Sequence, residues 1–300
     1  MSHILTLVAS DAARPLSPAL LEKVRELCRA REIHQICAPI WLSPDKAADI
    51  GVSDSLDGEL VQKLRDLLDE EKTDFFITPI EHRQKRLLLA DMDSTIVTGE
   101  TLDELAGYAG LKDHISAITA RAMNGELDFK DALRERVRLL KGLPVKTLDE
   151  TLAETRLSPG AEIFVKTMAH NGAKCVLVSG GFTVFTEAIA AQAGFHAHHG
   201  NTLSIKNGAL TGEVGDLILD KKAKLNFLNH YTLSSGLHLD QTLTIGDGAN
   251  DLPMLEAAGL GIGYHPKQTV KDAIPNCILH GDLTAALYAQ GYTDKHFWQS

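Results

Sequence analysis

Asp91 and Asp93 stand two positions apart in LLLADMDSTIV, directly after the apolar run Leu87–Ala90. Carboxylates that close repel each other unless a cation or a shared proton compensates, so the pair predicts a cation nearby. If the backbone stays extended through Met92, both carboxylates project to one side and Met92 to the other. Three further stretches offer suitable partners. In VSGGF, Ser179 ends an apolar run, and Gly180 and Gly181 let the backbone approach an anion at the start of a helix. In DKKAKLNF, Lys224 is a candidate cation directed at the site. In IGDGANDLPML, Asp247, Asn250 and Asp251 put three acidic or amide groups into five residues, a donor set that suits Mg2+. Singly, each has an ordinary reading as a turn, a loop or a solvated face beside Lys221 and Lys222. Their order, each at a predicted strand end or adjoining helix, favours one site.

The elements that must position these residues read as a parallel sheet with crossover helices. From residue 86 on, RLLLAD, KCVLVSG, TLTIGD and GLGIGY are short buried-strand candidates that end in small or acidic residues. Ligands of such sheets sit at the carboxyl ends of the strands, where Asp91, Ser179 and Asp247 fall. Residues 97–156 are strongly helical with no convincing strand, which predicts an inserted helical cap. Asn207-Gly208 between β-type runs predicts a two-residue hairpin. The first 82 residues read as a separate small α+β unit. HILTLVA, IHQICAPIW and DFFITPI are its strands, and PALLEKVRELCRA and ELVQKLRDLLDE its amphipathic helices. A further strand around KAADIGV is hard to find. The polar stretch EHRQKR, residues 81–86, reads as the connection to the second domain, 83–300.

The chain has 300 residues, is 44% hydrophobic and 23% charged, and carries a net charge of -10. That is an ordinary globular composition, and its sign argues against sequence-independent nucleic-acid binding. No apolar stretch approaches the roughly 18 residues of a membrane span, and the N-terminus carries no secretory pattern. The four cysteines, Cys28, Cys37, Cys175 and Cys277, show no metal-type spacing, which suits a reducing cytoplasm. His196, His198 and His199 read as a solvated loop before a strand, because no carboxylate or cysteine beside them completes a ligand set.

All four motifs resemble those of the haloacid dehalogenase-type phosphatases, over about residues 86–290. The resemblance implies a Rossmann-like α/β core and a Mg2+ ion held by Asp91, Asp247 and the backbone carbonyl of Asp93. Asp251 and Asn250 would support the ion from behind. It further implies that Asp91 is the nucleophile and Asp93 the acid/base. Lys224, Ser179, Gly180 and Gly181 would hold the phosphoryl group.

Within the cap, TGETLDELA and RAMNGELDFKDALRERVRLLKGLP are similar to the phosphoserine phosphatases. A zwitterionic amino-acid phosphate needs an anion for its ammonium and a guanidinium for its carboxylate. Glu100 and Arg136 match those family positions, and Met123 and Phe129 match apolar residues that close over the substrate. The resemblance implies hydrolysis of O-phospho-L-serine, the last step of serine biosynthesis. Two alternatives stand beside it: phosphotransfer to another alcohol such as homoserine, and a non-catalytic amino-acid sensor. The N-terminal order resembles ACT-type regulatory domains. Leu16 stands in ARPLSP where their effector turn carries glycine, which points to dimerisation, as a homodimer, at least as much as to effector binding.

Overall fold

The computed structural model describes residues 2–33, 38–53, 56–123, 126–216 and 218–299, without the side chains of Met123 and Lys221. The N-terminal unit runs β1 (His3–Ala9), α1 (Pro18–Arg29), β2 (Ile40–Ser43), β3 (Ala47–Val52), α2 (Gly58–Glu70) and β4 (Thr73–Pro79). Its strand order, β2-β3-β1-β4, is the split βαβ arrangement of ferredoxin-like units. Each helix starts where a side chain satisfies a free amide: Ser17 takes the Leu20 N–H at 3.1 Å, and Asp57 takes that of Leu60 at 2.7 Å.

KAADIGV, unclear as a strand in sequence, holds β3, buried along its whole length. Its small and acidic residues hide the alternation that marks a half-exposed strand. Residues 34–37 of the IHQICAPIW candidate, Cys37 among them, lie outside the described residues, and the strand itself begins at Ile40. Leu16 is fully buried in the helix-side core of this unit.

The second unit begins with β5 (Leu87–Ala90) and a wide turn, Met92–Ile96. The cap helices follow: α3 (Thr101–Gly107), α4 (Lys112–Met123), α5 (Phe129–Leu139) and α6 (Lys146–Glu154). The chain returns through α7 (Ala161–His170), β6 (Lys174–Phe182), α8 (Thr183–Ala193) and β7 (Ala197–Asn201). A hairpin, β8 (Leu203–Lys206) and β9 (Ala209–Val214), precedes α9 (Lys221–Ser234). The sheet is completed by β10 (Thr242–Gly246), α10 (Leu252–Ala257), β11 (Leu260–Tyr264), α11 (Gln268–Ala273), β12 (Cys277–Ile278) and α12 (Ala285–Ala289).

Among the described residues the hairpin turns as expected, with Asn207 and Gly208 both at positive φ, 53° and 76°. It also joins the cap, a role not read from sequence. Gly142 and Val145 donate their N–H groups to the Leu210 and Gly208 carbonyls at 2.8 and 2.9 Å. No described helix is long and apolar enough to cross a membrane.

One ten-stranded sheet, β2-β3-β1-β4-β12-β11-β10-β5-β6-β7, runs through both units. The strands from β12 to β7 pair parallel, and β12 meets β4 antiparallel at Cys277 and Phe75. On the N-terminal sheet, Leu5, Leu7, Ile50 and Phe75 face α1 and α2. Val8, Ala47 and Phe76 instead join the main core with Leu283, Leu287 and Tyr288. Both faces of that sheet are therefore covered from within the chain.

Residues 81–86 connect the units as a clamp. Arg83 grips Asp49 and Thr6 of the N-terminal sheet, and its Nε donates to the Ala289 carbonyl at 3.1 Å. Lys85 is buried and donates to the Asp240 carbonyl at 2.6 Å.

The histidine-rich stretch also departs from the sequence expectation. Residues 197–201 form β7 at the sheet edge, half-buried rather than a solvated loop. His199 stacks on Phe227 with centroids 4.0 Å apart and bonds the Tyr231 hydroxyl at 2.8 Å. Ring packing and a phenol absorb its polarity, so no metal is needed to account for it.

Candidate active site

The sheet order makes β5 the switch point: the chain leaves it for β6 on one side and later returns to β10 on the other. The crevice at the carboxyl ends of such strands is where open α/β sheets bind ligands. Asp91 follows β5, with its N–H on the Ile245 carbonyl at 3.0 Å. Asp247 follows β10, and Ser179 lies in β6. Three motifs far apart in sequence thus meet on adjacent strands.

Asp91 and Asp93 do not share a face through an extended strand. Strand pairing stops at Ala90, and the Val97 N–H closes a wide turn on the Met92 carbonyl at 3.0 Å. Ser94 takes the left-handed conformation at φ 54°, which folds the chain back so that its N–H reaches the Gly99 carbonyl at 3.1 Å. Met92 is buried in the core. Asp93 Oδ1 accepts the Thr101 N–H at 2.8 Å and Oδ2 accepts the Ser179 hydroxyl at 3.2 Å. Glu100 accepts the Ser94 hydroxyl at 2.8 Å. The turn therefore joins the central strand directly to the first cap helix.

Lys224 lies in the first turn of α9, whose start is set by Asp220, which takes the Lys222 and Ala223 N–H groups at 2.9 and 3.1 Å. Lys222 faces solvent, whereas Lys224 is buried and reaches Asp91 Oδ1 at 2.6 Å and Asp251 Oδ1 at 2.5 Å. Asp251 Oδ2 accepts the Gly248 N–H at 3.1 Å, which holds the loop after β10 closed. Asn250 approaches the same carboxylate, with Nδ2 3.5 Å from Oδ1.

Asp91, Asp247 and Asp251 are all buried, and one oxygen of each lies within 4.8 Å of the others. Burial raises Asp91 well above the ordinary carboxylate range, and repulsion from Asp251 adds to the rise. Asp247 is pushed up to about 6, by burial first and by Asp251 next. Burial works against the Lys224 charge, but Asp251 and Asp91 outweigh it and raise its pKa. Three carboxylates against two ammoniums, buried Lys224 and half-exposed Lys267, leave the cluster negative. Asp247 Oδ2 is buried without a hydrogen bond, and Lys267 Nζ stands 3.6 Å away on a half-exposed side chain. An all-oxygen set with a spare buried acceptor fits a hard divalent cation.

The VSGGF stretch differs slightly from expectation. β6 runs on through Gly180 and Gly181 to Phe182, and α8 starts only at Thr183. The Ser179 hydroxyl also accepts the Gly181 N–H at 2.8 Å. A Cβ at Gly181 would meet Asp93 Oδ2 and Ser179 Oγ at 3.0 Å each, and one at Gly180 would meet Phe129 Cζ at 3.0 Å. Phe129, the first residue of α5, thus brings the cap onto the sheet. Arg136, about two turns further along the same face of α5, is buried, with Asp103, Glu100 and Asp93 among the charges acting on it. The Met123 side chain lies outside the described residues.

Sequence reasoning passed over Asn201 at the end of β7, whose Nδ2 donates to the Gly180 carbonyl at 2.7 Å. Its Oδ1 accepts the Leu219 N–H at 2.8 Å, so it holds the glycine loop in place. Asp103 and Thr119, which reach Arg136, were passed over as well. Asp103 lies only one helical turn beyond Glu100, which was the available signal.

A parallel sheet with this carboxylate cluster, buried lysine and helical cap is the arrangement of the haloacid dehalogenase-like hydrolases, and that family's model matches residues 88–256. A phosphoserine phosphatase of Archaeoglobus fulgidus is 39% identical over 244 residues, 81% of this chain and 70% of the relative. The chain spans about half, 52%, of a Streptomyces coelicolor phosphoserine phosphatase to which it is 41% identical. A haloacid dehalogenase family hydrolase of Salmonella enterica serovar Typhi superposes with a TM-score of 0.84 at 28% identity, over 96% of this chain and 98% of that one. The phospho-aspartyl intermediate analogue of a phosphoserine phosphatase superposes with a TM-score of 0.65 at 37% identity, over 68% of this chain and 98% of that one. The chain belongs to the phosphoserine phosphatases of the haloacid dehalogenase-like superfamily.

Proposed function

We propose that the chain hydrolyses O-phospho-L-serine to L-serine and phosphate, through an aspartyl-phosphate on Asp91, as the last step of serine biosynthesis in the cytoplasm. The observation that carries the substrate is a buried arginine and a half-buried glutamate, Arg136 and Glu100, near enough for the glutamate to favour the guanidinium charge but not joined in an ion pair. Opposite charges held apart beside Asp93 suit a ligand carrying both a carboxylate and an ammonium.

In the first step an Asp91 carboxylate oxygen attacks phosphorus, and the bond to the seryl oxygen breaks as Asp93 gives that oxygen its proton. Desolvation raises the Asp93 pKa, which favours the protonated form that this step uses. In the second step Asp93 takes a proton from water, the hydroxide oxygen bonds to phosphorus, and the bond to Asp91 breaks. Phosphate leaves and Asp91 is restored. Lys224, the Ser179 hydroxyl and the Gly180 amide hold the phosphoryl oxygens, with the Gly181 N–H steadying the Ser179 hydroxyl. Asp91, Asp247 and the Asp93 carbonyl, with Asp251 and Asn250 behind them, would hold Mg2+, which would supply positive charge to offset the cluster and the phosphate. Phe129, whose ring lies against Gly180, closes over the substrate and excludes water.

The test compares Arg136→Ala on phosphoserine and on O-phosphoethanolamine, which has the ammonium but no carboxylate. kcat/KM for phosphoserine should fall about a hundredfold, the loss of one charge-assisted pair, while that for phosphoethanolamine barely changes. Equal losses on both would refute the assignment.

A further inference from the structure

The buried guanidinium of Arg136 has no carboxylate bonded to it. Its Nε donates to the Ala132 carbonyl of its own helix at 3.2 Å, and Nη1 donates to the Thr119 hydroxyl at 2.9 Å. Among the described residues Nη2 donates to no protein acceptor. Thr119, on α4, lies 3.2 Å from Asp103 Oδ1 and 3.1 Å from the Ile115 carbonyl, so its proton can go to either. The other Asp103 oxygen accepts the Ser116 hydroxyl at 2.6 Å. Asp103, Thr119 and Arg136 are 9%, 7% and 7% exposed, so the whole relay lies out of water.

We propose that Asp103, acting through the Thr119 hydroxyl, is a positioning residue that holds Arg136 aimed at the substrate carboxylate. This rests on the phosphoserine reading above. A direct Asp–Arg fork would neutralise the guanidinium and occupy the edge that a carboxylate ligand needs. With a hydroxyl interposed, Asp103 supplies the countercharge while the Nη2 edge stays available. The relay also ties α3, which follows Glu100, to α4 and α5, so the two charged recognition groups keep a constant separation. Rigidly held recognition groups lower the ordering cost of binding.

The experiment measures kcat and KM on phosphoserine and O-phosphoethanolamine for wild type, Asp103→Asn, Thr119→Val and Thr119→Ser. Asp103→Asn and Thr119→Val should raise KM for phosphoserine about tenfold, equivalent to about 1.4 kcal/mol, with kcat little changed. KM for phosphoethanolamine should stay near wild type, and Thr119→Ser, which keeps the hydroxyl, should restore phosphoserine binding. Equal KM changes on both substrates, or none in either Asp103→Asn or Thr119→Val, would overturn the relay. Should Asp103→Asn fail to fold, the contrast between Thr119→Val and Thr119→Ser decides. A wild type that does not discriminate between the two substrates would instead overturn the phosphoserine reading, and the relay with it.

Discussion

The Arg83 guanidinium holds both carboxylate oxygens of Asp49, Nη1 on Oδ2 at 2.6 Å and Nη2 on Oδ1 at 2.7 Å. The first residue belongs to the segment between the units and the second to β3. The pair is largely buried, with side chains 15% and 8% exposed, so neither charge can fall back on water. Arg83→Ala leaves the Asp49 charge buried with only the Thr6 hydroxyl donating to it and should cost about 3 kcal/mol of stability. Urea unfolding followed by circular dichroism checks this. A loss below about 1 kcal/mol, the range of a surface pair, would show that the segment is an ordinary tether.

Gly246 predicts a functional loss from a single methyl group. A Cβ there would lie 2.4 Å from Asp251 Cγ and 2.5 Å from its Oδ2, so the carboxylate must move away from Lys224 and the Gly248 amide. Gly246→Ala should weaken Mg2+ binding about 10–100-fold, the usual effect of disturbing groups that hold metal ligands. Calorimetric titration with MgCl2 measures it. Wild-type affinity in a folded variant would contradict the placement of the ion.

Metal binding should also change the pH dependence of stability. The Asp247 pKa of about 6 lies above its ordinary 3.8. Its contribution to metal-free stability is therefore complete below pH 3.8 and is lost as pH rises through about 6. A cation takes the place of the proton on the cluster, so the rise in Tm on adding MgCl2 should be larger above about pH 6 than below about pH 5. A Tm gain independent of pH would rule this linkage out.

Glu100 is raised to about 7, by burial first and by Asp93 next. It must be ionised to hold an ammonium, so kcat/KM for phosphoserine should drop as pH falls below about 7. A phosphate ester without an ammonium should lack that acid limb, as should Glu100→Gln acting on phosphoserine. The same limb on both esters would assign the titration to another group.

Much of the site was legible because its chemistry is local. Asp91, Ser179 and Asp247 each stand at the end of a short apolar run, and buried strands of a parallel sheet advertise their ends in that way. The helices α3 to α6 were legible because residues 97–156 read as strongly helical with no convincing strand. β3 was obscured because a strand buried on both faces loses its alternation, and its residues are mostly small. The β8–β9 hairpin showed its turn through Asn207-Gly208, but its docking on the cap depends on contacts with residues some 65 positions earlier, such as Gly142.

By itself the sequence determined which residue types could do chemistry and in what order along the chain they occur: the paired aspartates, the glycine loop, Lys224 and the acidic cluster. It determined this because strand ends, helix starts and turn chemistry are set by near neighbours. Only the tertiary structure decided that Lys224 bridges Asp91 and Asp251, and that Arg136 bonds the Thr119 hydroxyl instead of a carboxylate. It alone joined the two units into one sheet at Phe75 and Cys277, with Arg83 locked across the junction. Those outcomes depend on which side chains lose water together, and desolvation is a property of the packed molecule, not of any stretch of it.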